Sequence, residues 1–154
     1  MRDGKTSAVT ISVSRPIDAP TERVWSVLTD IEHWPESTAS VTSVRRLDTG
    51  PLQRGSRARI KQPKLPILVW TVTEIEALSQ FTWSTTTPGV TTSARHVITP
   101  GPGRGVTVTL SIERTGILAR LTDLSYAGMT RRYLTMEIEG LKRVCETGSP
   151  ATTA

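Results

Sequence analysis

Cysteine is almost absent from this sequence of 154 residues, and Cys145 is the single example. One thiol cannot close an intramolecular disulfide, and it cannot supply the paired thiolates of many structural zinc sites. The only two histidines, His33 and His96, fall on separate predicted elements and lack the close spacing of catalytic zinc motifs. We therefore expect no bound metal and no cofactor, and the cysteine count suits a reducing cytoplasm.

Long apolar runs are also absent, as is a strong excess of one charge. No stretch approaches the roughly 20 apolar residues of a membrane span, and the N-terminal segment MRDGKTSAV lacks the apolar run of a signal peptide. The net charge is +5, from 19 Lys and Arg against 14 Asp and Glu, and the basic residues are scattered among acidic ones. We expect a cytoplasmic monomer or homodimer with no stable membrane insertion and no nucleic-acid partner.

The length suits a single domain with one apolar core. Residues 1–7 and 148–154 are small, polar and without a periodic pattern. Such segments are expected to be disordered tails. The domain itself is predicted to span 8–147.

The domain is predicted to open with a strand and two short helices. From Val9 to Ile17, apolar and polar residues alternate with the period of two that is typical of a half-buried strand. A first helix is predicted from Thr21. A second begins at Asp30 and is predicted to end at Pro35, because proline disfavours a helical residue before it.

Proline and glycine clusters divide the middle of the chain into short segments rich in threonine and valine. The predicted strands are Ser40–Leu47, Ser56–Gln62, Leu68–Ala77, Gln80–Thr86, Thr91–Thr99 and Val106–Arg114. The connections are too short for crossover helices, so neighbouring strands are expected to pair antiparallel as a meander.

Helix-forming residues follow Gly116 and extend from Ile117 to about Glu146, which corresponds to roughly 45 Å of helix. Two apolar stripes lie on nearly opposite faces: one contains Leu121, Leu124 and Gly128, and the other contains Leu134, Ile138, Leu141 and Cys145. This change of phase predicts a kink or break near Gly128. Cys145, on the second stripe, is predicted to pack rather than to act as a nucleophile.

The order of these elements resembles the START-like, Bet v1-like helix-grip fold. The opening IDAPTERVWSVLTD, followed by Trp34-Pro35, is similar to the polyketide cyclase/dehydrase-like branch, the SRPBCC proteins. Later segments resemble that branch in the same order, including GSRARIKQP from Gly55, Trp70-x-Val72-x-Glu74, Phe81-x-Trp83 and the run from Arg132 to Lys142. The resemblance implies an α+β fold, in which a curved antiparallel sheet of about seven strands wraps around the long C-terminal helix.

The resemblance also implies an apolar pocket between the sheet and that helix. The leading hypothesis is binding or carriage of a small hydrophobic molecule in the pocket, whether lipid, aromatic or polyketide-like. One alternative is a polyketide cyclase or aromatase-type enzyme that uses the same pocket. A second alternative is a regulatory or stress-related protein that acts through its surface. Because the superfamily hosts carriers, receptors and enzymes, the fold does not choose among them, and a binding protein is favoured over an enzyme.

His96 is the candidate for chemistry in the pocket. It shares a strand face with Ala94 and Ile98, so its side chain is predicted to point inward. A buried imidazole can hydrogen-bond a ligand or exchange a proton near neutral pH, with Tyr126 or Tyr133 as its partner in an enzyme. The alternative is a structural histidine whose ring is satisfied by backbone or by a tyrosine hydroxyl, since no carboxylate is obviously placed to orient it.

The other candidate pocket residues are large side chains on the inner faces of adjacent strands and on the closing helix. The predicted ligand-binding set is Ile60, Trp70, Val72, Trp83, His96, Leu110, Tyr126, Met129 and Tyr133. The alternative interpretation of these residues is plain core packing.

Glu74 and Glu76 follow Trp70 and Val72 with the same parity, so a regular strand would turn both carboxylates inward. Burying two unpaired carboxylates is costly. We therefore expect a β-bulge or the end of the strand to turn them toward water.

Overall fold

The computed structural model of the chain describes residues 9–147, and for residues 122–125 it describes the backbone alone. The strands are β1 Val9–Ile17, β2 Ser43–Arg46, β3 Arg57–Lys61, β4 Leu68–Glu76, β5 Gln80–Thr87, β6 Val90–Pro100 and β7 Val106–Thr115. The helices are α1 Thr21–Thr29, a 3-10 turn at Ile31–His33, α2 Trp34–Ser37 and α3 Ala119–Glu146. The predicted tails lie outside the described residues, and so does the side chain of Leu124.

The seven strands form one antiparallel sheet with the order β1-β7-β6-β5-β4-β3-β2. Strands β2 to β7 are a meander, as their short connections predicted. β1 pairs with β7, from Val9 opposite Arg114 to Ile17 opposite Val106. The α+β helix-grip fold predicted from the sequence is confirmed.

The core lies between the inner face of this sheet and α3. Alternate residues of each strand point inward because side chains alternate across a strand, and in β7 this buries Val106, Val108 and Leu110. The second stripe of α3, formed by Leu134, Ile138, Leu141 and Cys145, is buried in the same cluster. Burial raises the pKa of the Cys145 thiol to about 11, which supports a packing role. Within residues 9–147, no helix has both the length and the apolarity to cross a membrane.

The β-bulge predicted near Glu74 is present in β4. Val72 pairs with Trp83, but Glu74 pairs with the next residue of β5, Thr82, so Thr73 is the extra residue. The bulge reverses the inward and outward parity of the remaining residues of β4. Glu74 and Glu76 are therefore exposed, as expected.

The predicted end of the second helix at Pro35 is wrong. Pro35 lies in the first turn of α2, which continues to Ser37. A proline there costs no hydrogen bond, because the first amides of a helix have no partner within it. The proline therefore lies within the first turn of this short helix and does not end it.

The predicted break at Gly128 is not observed, since α3 is continuous from Ala119 to Glu146, and a kink there stays a prediction. The apparent change of stripe has a different origin. The N-terminal half of α3 faces a cavity rather than closely packed core, and its inward positions include Tyr126, Met129 and Tyr133. Leu121 is 78% exposed and does not belong to the core.

Candidate ligand-binding site

A cavity of about 160 Å³ lies between the sheet and α3. The sheet contributes alternate positions of its strands, which include Leu68 and Trp70 of β4, Trp83 and Thr85 of β5, Ala94 and His96 of β6, and Leu110 and Ile112 of β7. The helix contributes positions spaced by three and four, namely Tyr126, Met129, Thr130, Tyr133, Leu134 and Glu137. An apolar cavity of about 150 Å³ accommodates benzene. The volume therefore suits one small ring.

Eight of the nine predicted ligand-binding residues line this cavity: Ile60, Trp70, Trp83, His96, Leu110, Tyr126, Met129 and Tyr133. Their contact with a ligand remains a prediction. Val72 does not line the cavity and is instead 1% exposed within the core. The alternation of side chains along β4 correctly predicted that Val72 points inward. Alternation does not show where along a strand the cavity ends, and on β4 the cavity ends before Val72.

The aromatic side chains on the cavity wall form one connected cluster. The ring centroids of Trp70 and Trp83 are 5.9 Å apart, and those of Trp83 and Trp34 are 5.4 Å apart in an edge-to-face arrangement. The Trp34 indole, which the sequence analysis did not place in the pocket, donates from Nε1 to the carbonyl oxygen of Leu28 at 3.2 Å. Three indoles therefore give the cavity flat apolar surfaces suited to a planar ligand.

His96 points inward as predicted, and its ring stacks on Phe81 with centroids 4.1 Å apart. Its Nδ1 lies 3.2 Å from the carbonyl oxygen of Phe81. Because a carbonyl can only accept, Nδ1 carries the proton and Nε2 is an acceptor in the neutral ring. Burial lowers the pKa of His96 to about 4, against the opposing effect of the Phe81 carbonyl. The backbone thus satisfies one ring nitrogen and leaves the other for the cavity.

Glu137 is the functional candidate that sequence reasoning missed. It follows Tyr133 by four residues, so it lies on the cavity face of α3. Burial raises the pKa of this carboxyl to about 7, and no neighbouring charge or hydrogen bond contributes to the shift. The signal was present in the helical spacing Tyr126, Met129, Tyr133, Glu137, which extends the predicted cavity face by one turn.

A second cavity of about 30 Å³ adjoins the first. Four residues line both cavities, namely Trp34, His96, Leu110 and Glu137, and we call these four the inner wall. A space of this size is large enough for a water molecule. The inner wall therefore separates the larger cavity from a smaller one, whose lining is mainly apolar, with the hydroxyls of Ser37 and Thr38 among its polar groups.

A basic and a phenolic side chain lie at a different part of the larger cavity. Arg114 of β7 follows Leu110 by four residues, or roughly 13 Å along the strand, and its guanidinium lies 4.5 Å from the centroid of the Tyr126 ring. The Tyr133 hydroxyl donates to the carbonyl oxygen of Pro63 at 2.5 Å. Tyr133 thereby ties α3 to the β3–β4 connection. This bond engages the hydroxyl proton of Tyr133.

The two titratable groups of the inner wall, buried His96 and half-buried Glu137, should impose opposite pH dependences on stability. The pKa of His96 is about 4 rather than 6.5, so its contribution is complete above pH 6.5 and is lost as the pH falls toward 4. The pKa of Glu137 is about 7 rather than 4.5, so its contribution is complete below pH 4.5 and is lost as the pH rises toward 7. Each contribution is about 3 kcal/mol at most.

Between pH 4.5 and 6.5 these two effects should nearly cancel in the unmodified protein, and removing one group should reveal the other. In Glu137→Gln, the free energy of unfolding should rise by about 2 to 3 kcal/mol across that interval, and in His96→Gln it should fall by a similar amount. Urea unfolding at several pH values measures both slopes. Parallel pH profiles for the two variants would contradict this assignment.

Across residues 9–147, no group of three or more His, Cys, Asp or Glu side chains is arranged to hold a metal ion. His33 is exposed and pairs instead with Asp30, at 2.8 Å between Nδ1 and Oδ1. The described residues that line the cavity offer apolar contact, aromatic stacking and hydrogen bonding, the last including Nε2 of His96 and the carboxyl of Glu137.

Solved structures with the same architecture come from distant organisms. A hypothetical protein of Helicobacter pylori is 13% identical, with coverage of 91% of this chain and 88% of its own, at a TM-score of 0.75. A protein of Thermus thermophilus is 18% identical, with coverage of 92% and 99%, at a TM-score of 0.73. A point mutant of Thalictrum flavum norcoclaurine synthase, in complex with a transition-state analogue, is 10% identical, with coverage of 95% and 99%, at a TM-score of 0.75. At these identities the likeness shows the fold alone.

A family model, unlike the individual structures, identifies the family of the chain. No curated protein matches the sequence. Residues 8–146, which are nearly the whole chain, match the model of a family described as polyketide cyclase / dehydrase and lipid transport. The fold and its hydrophobic ligand cavity agree with that description, and the chain belongs to this family.

Proposed function

We propose that the protein binds and carries a compact hydrophobic molecule, with one aromatic ring or a similarly sized apolar body, in the cavity beneath α3. The observation that carries this proposal is the cavity of about 160 Å³ itself, walled by three indoles and aliphatic side chains. Ligand affinity would come from apolar surface removed from water, at about 25 cal/mol per Å² before the costs of association.

The volume of the cavity favours one of the three ligand classes that the sequence left open, which were lipid, aromatic and polyketide-like molecules. Sites for drug-sized ligands usually occupy about 300 to 1,000 Å³, which is well above this cavity. A whole lipid or a long polyketide chain would need the walls to move apart. A single-ring compound enters without such a change, so the aromatic class is favoured.

An enzyme of the cyclase or aromatase type is the second candidate. The observation that favours it is the inner wall, where the Nε2 acceptor of His96 and the protonatable carboxyl of Glu137 line the same cavity. Placement of a reactive chain between such groups is a large part of what cyclisation needs. Replacing His96 with alanine should reduce ligand affinity by no more than about 10-fold for a carrier, the loss of one hydrogen bond, whereas it should abolish turnover for a cyclase.

Native mass spectrometry of the purified protein, followed by denaturation, tests the proposal directly. We expect a low-mass apolar compound that remains bound under native conditions and is released on unfolding. If the protein purifies empty, titration with toluene should still change the emission of the indoles that line the cavity, Trp34, Trp70 and Trp83. Protein that carries no compound and shows no response to toluene would contradict both ligand-based functions.

A further inference from the structure

We infer that the inner wall selects ligands that carry a hydroxyl on an aromatic ring, with the hydroxyl held between Nε2 of His96 and the carboxyl of Glu137. This inference rests on the proposed function and names the ligand class that the cavity would take. It follows from three features: the hydrogen-bonding roles open at the inner wall, the uncharged state of His96 and Glu137 at mildly acidic pH, and the flat walls beside it.

The open hydrogen-bonding roles at the inner wall match a hydroxyl group. With Nδ1 of His96 donating to Phe81, Nε2 can only accept. A protonated Glu137 carboxyl can donate one hydrogen bond, and none of the hydrogen bonds among the described residues uses it. A hydroxyl donates once and also accepts, so a single ligand oxygen satisfies both protein groups.

The charge at the inner wall favours a neutral ligand group over an ammonium or a carboxylate. Among the residues that the structure describes, six titratable side chains line the larger cavity: Arg95, His96, Arg114, Tyr126, Tyr133 and Glu137. Of the described residues in the smaller cavity, His96 and Glu137 titrate, beside apolar residues of α1, β7 and α3 and the hydroxyls of Ser37 and Thr38. Desolvation lowers the pKa of His96 to about 4 and raises the pKa of Glu137 to about 7, so both groups are mainly uncharged at mildly acidic pH. An ion would pay the same desolvation cost.

The preference for an aromatic ring follows from the indole side chains beside the inner wall. Trp34 belongs to the inner wall, and its ring centroid is 5.7 Å from that of His96. Trp83 contacts both, with centroid distances of 5.4 Å to Trp34 and 6.0 Å to His96. A ring whose hydroxyl reaches the inner wall therefore lies against indole surfaces, where offset or edge-to-face contacts add to its affinity.

The experiment compares phenol with toluene, which has the same shape but cannot hydrogen-bond, by titration calorimetry at pH 6. In Glu137→Leu and in His96→Phe, phenol affinity should each fall about 5-fold to 10-fold relative to toluene affinity, since a net hydrogen bond contributes about 1 kcal/mol. Glu137→Gln should keep the preference for phenol, because its amide both donates and accepts. If His96→Phe does not fold, the two Glu137 variants carry the test.

Matched controls are available in exposed copies of the same residue types. Glu139→Leu removes an exposed carboxylate two residues along α3, which pairs with Arg15 at 2.8 Å. His33→Phe removes the exposed histidine. Neither should change the ratio of phenol to toluene affinity.

The possible outcomes separate this inference from the proposed function. Toluene binding with the same phenol ratio in every variant would overturn the hydroxyl assignment and leave the cavity function standing. Benzylamine binding that exceeds phenol binding and strengthens as the pH rises through 7 would also overturn it, by assigning the inner wall to a cation. Binding of none of the three probes would overturn the proposed function itself.

Discussion

Replacing Gly140 with alanine is expected to destabilise the protein by about 2 to 3 kcal/mol, although alanine is the better helix former by about 1 kcal/mol. Gly140 lies where α3 crosses the end of α2. A Cβ there would stand 2.3 Å from the carbonyl oxygen of Ser37, which is backbone and cannot rotate away. The same oxygen accepts a hydrogen bond from Arg143 at 2.7 Å. The helices would have to move apart, which would loosen the packing of the second stripe.

The same substitution at Gly128 is the control, because both glycines belong to α3. A Cβ at Gly128 meets nothing within 4 Å. Gly128→Ala should therefore stabilise the protein by up to about 1 kcal/mol through helix propensity alone. Urea unfolding with an unchanged m-value measures both effects. Equal effects at the two positions would contradict the close approach of α3 to Ser37.

Replacing Ala94 with phenylalanine is expected to weaken binding of any ligand in the cavity by at least about 100-fold, since the added ring occupies the volume that a ligand needs. Ala94 is buried on the inner face of β6, where it pairs with Trp83 on one side and Ile112 on the other. It lines the cavity between the positions of Thr92 and His96. Because the ring enters existing space, the free energy of unfolding should change by less than about 1.5 kcal/mol.

The adjacent residue supplies the control for this variant. Ser93 belongs to the same strand but points to the opposite face of the sheet, and it is not part of the cavity wall. Ser93→Phe should leave ligand affinity unchanged. Loss of affinity in both variants would indicate a general effect on β6 rather than occupation of the cavity, and full affinity in Ala94→Phe would place the ligand elsewhere.

Local sequence patterns predicted the sheet well because each strand is bounded by strong turn signals and carries its own alternation. The bulge at Thr73 was predictable for a related reason. The cost of burying Glu74 and Glu76 is large enough to override strand regularity. The pairing of β1 with β7 brings together the first and the last strand along the chain, and no local pattern predicts a partner so distant in sequence.

The wrong predictions at Pro35 and Gly128 share one cause. In each case a local sequence rule allows two structures, and tertiary packing decides between them. A proline can end a helix or lie in its first turn, and Pro35 lies in the first turn of α2, where its missing amide costs no hydrogen bond. A glycine within an amphipathic helix suggests a break, yet α3 continues through Gly128, because one glycine costs only about 1 kcal/mol. Tertiary contacts decide both cases and are not visible in the local pattern.

The candidate site was predicted in outline, but its most informative residue was missed. Aromatic and aliphatic positions were found by strand parity, which holds wherever the strands are regular. Glu137 was overlooked because a glutamate on a long helix is usually solvent-exposed. Its helical spacing from Tyr133 indicated the cavity face, but only the packing of α3 against the sheet makes that position half-buried.

Crystals soaked in iodobenzene provide the most direct test of the claim that α3 and the sheet enclose a cavity that accepts a ring. We predict an anomalous iodine signal beneath α3, with the ring against Trp70 and Trp83 and below Tyr133. The same soak of Ala94→Phe crystals should give no signal at that place. An interior filled by side chains, with iodine found only on the outer surface of the unmodified protein, would contradict the account.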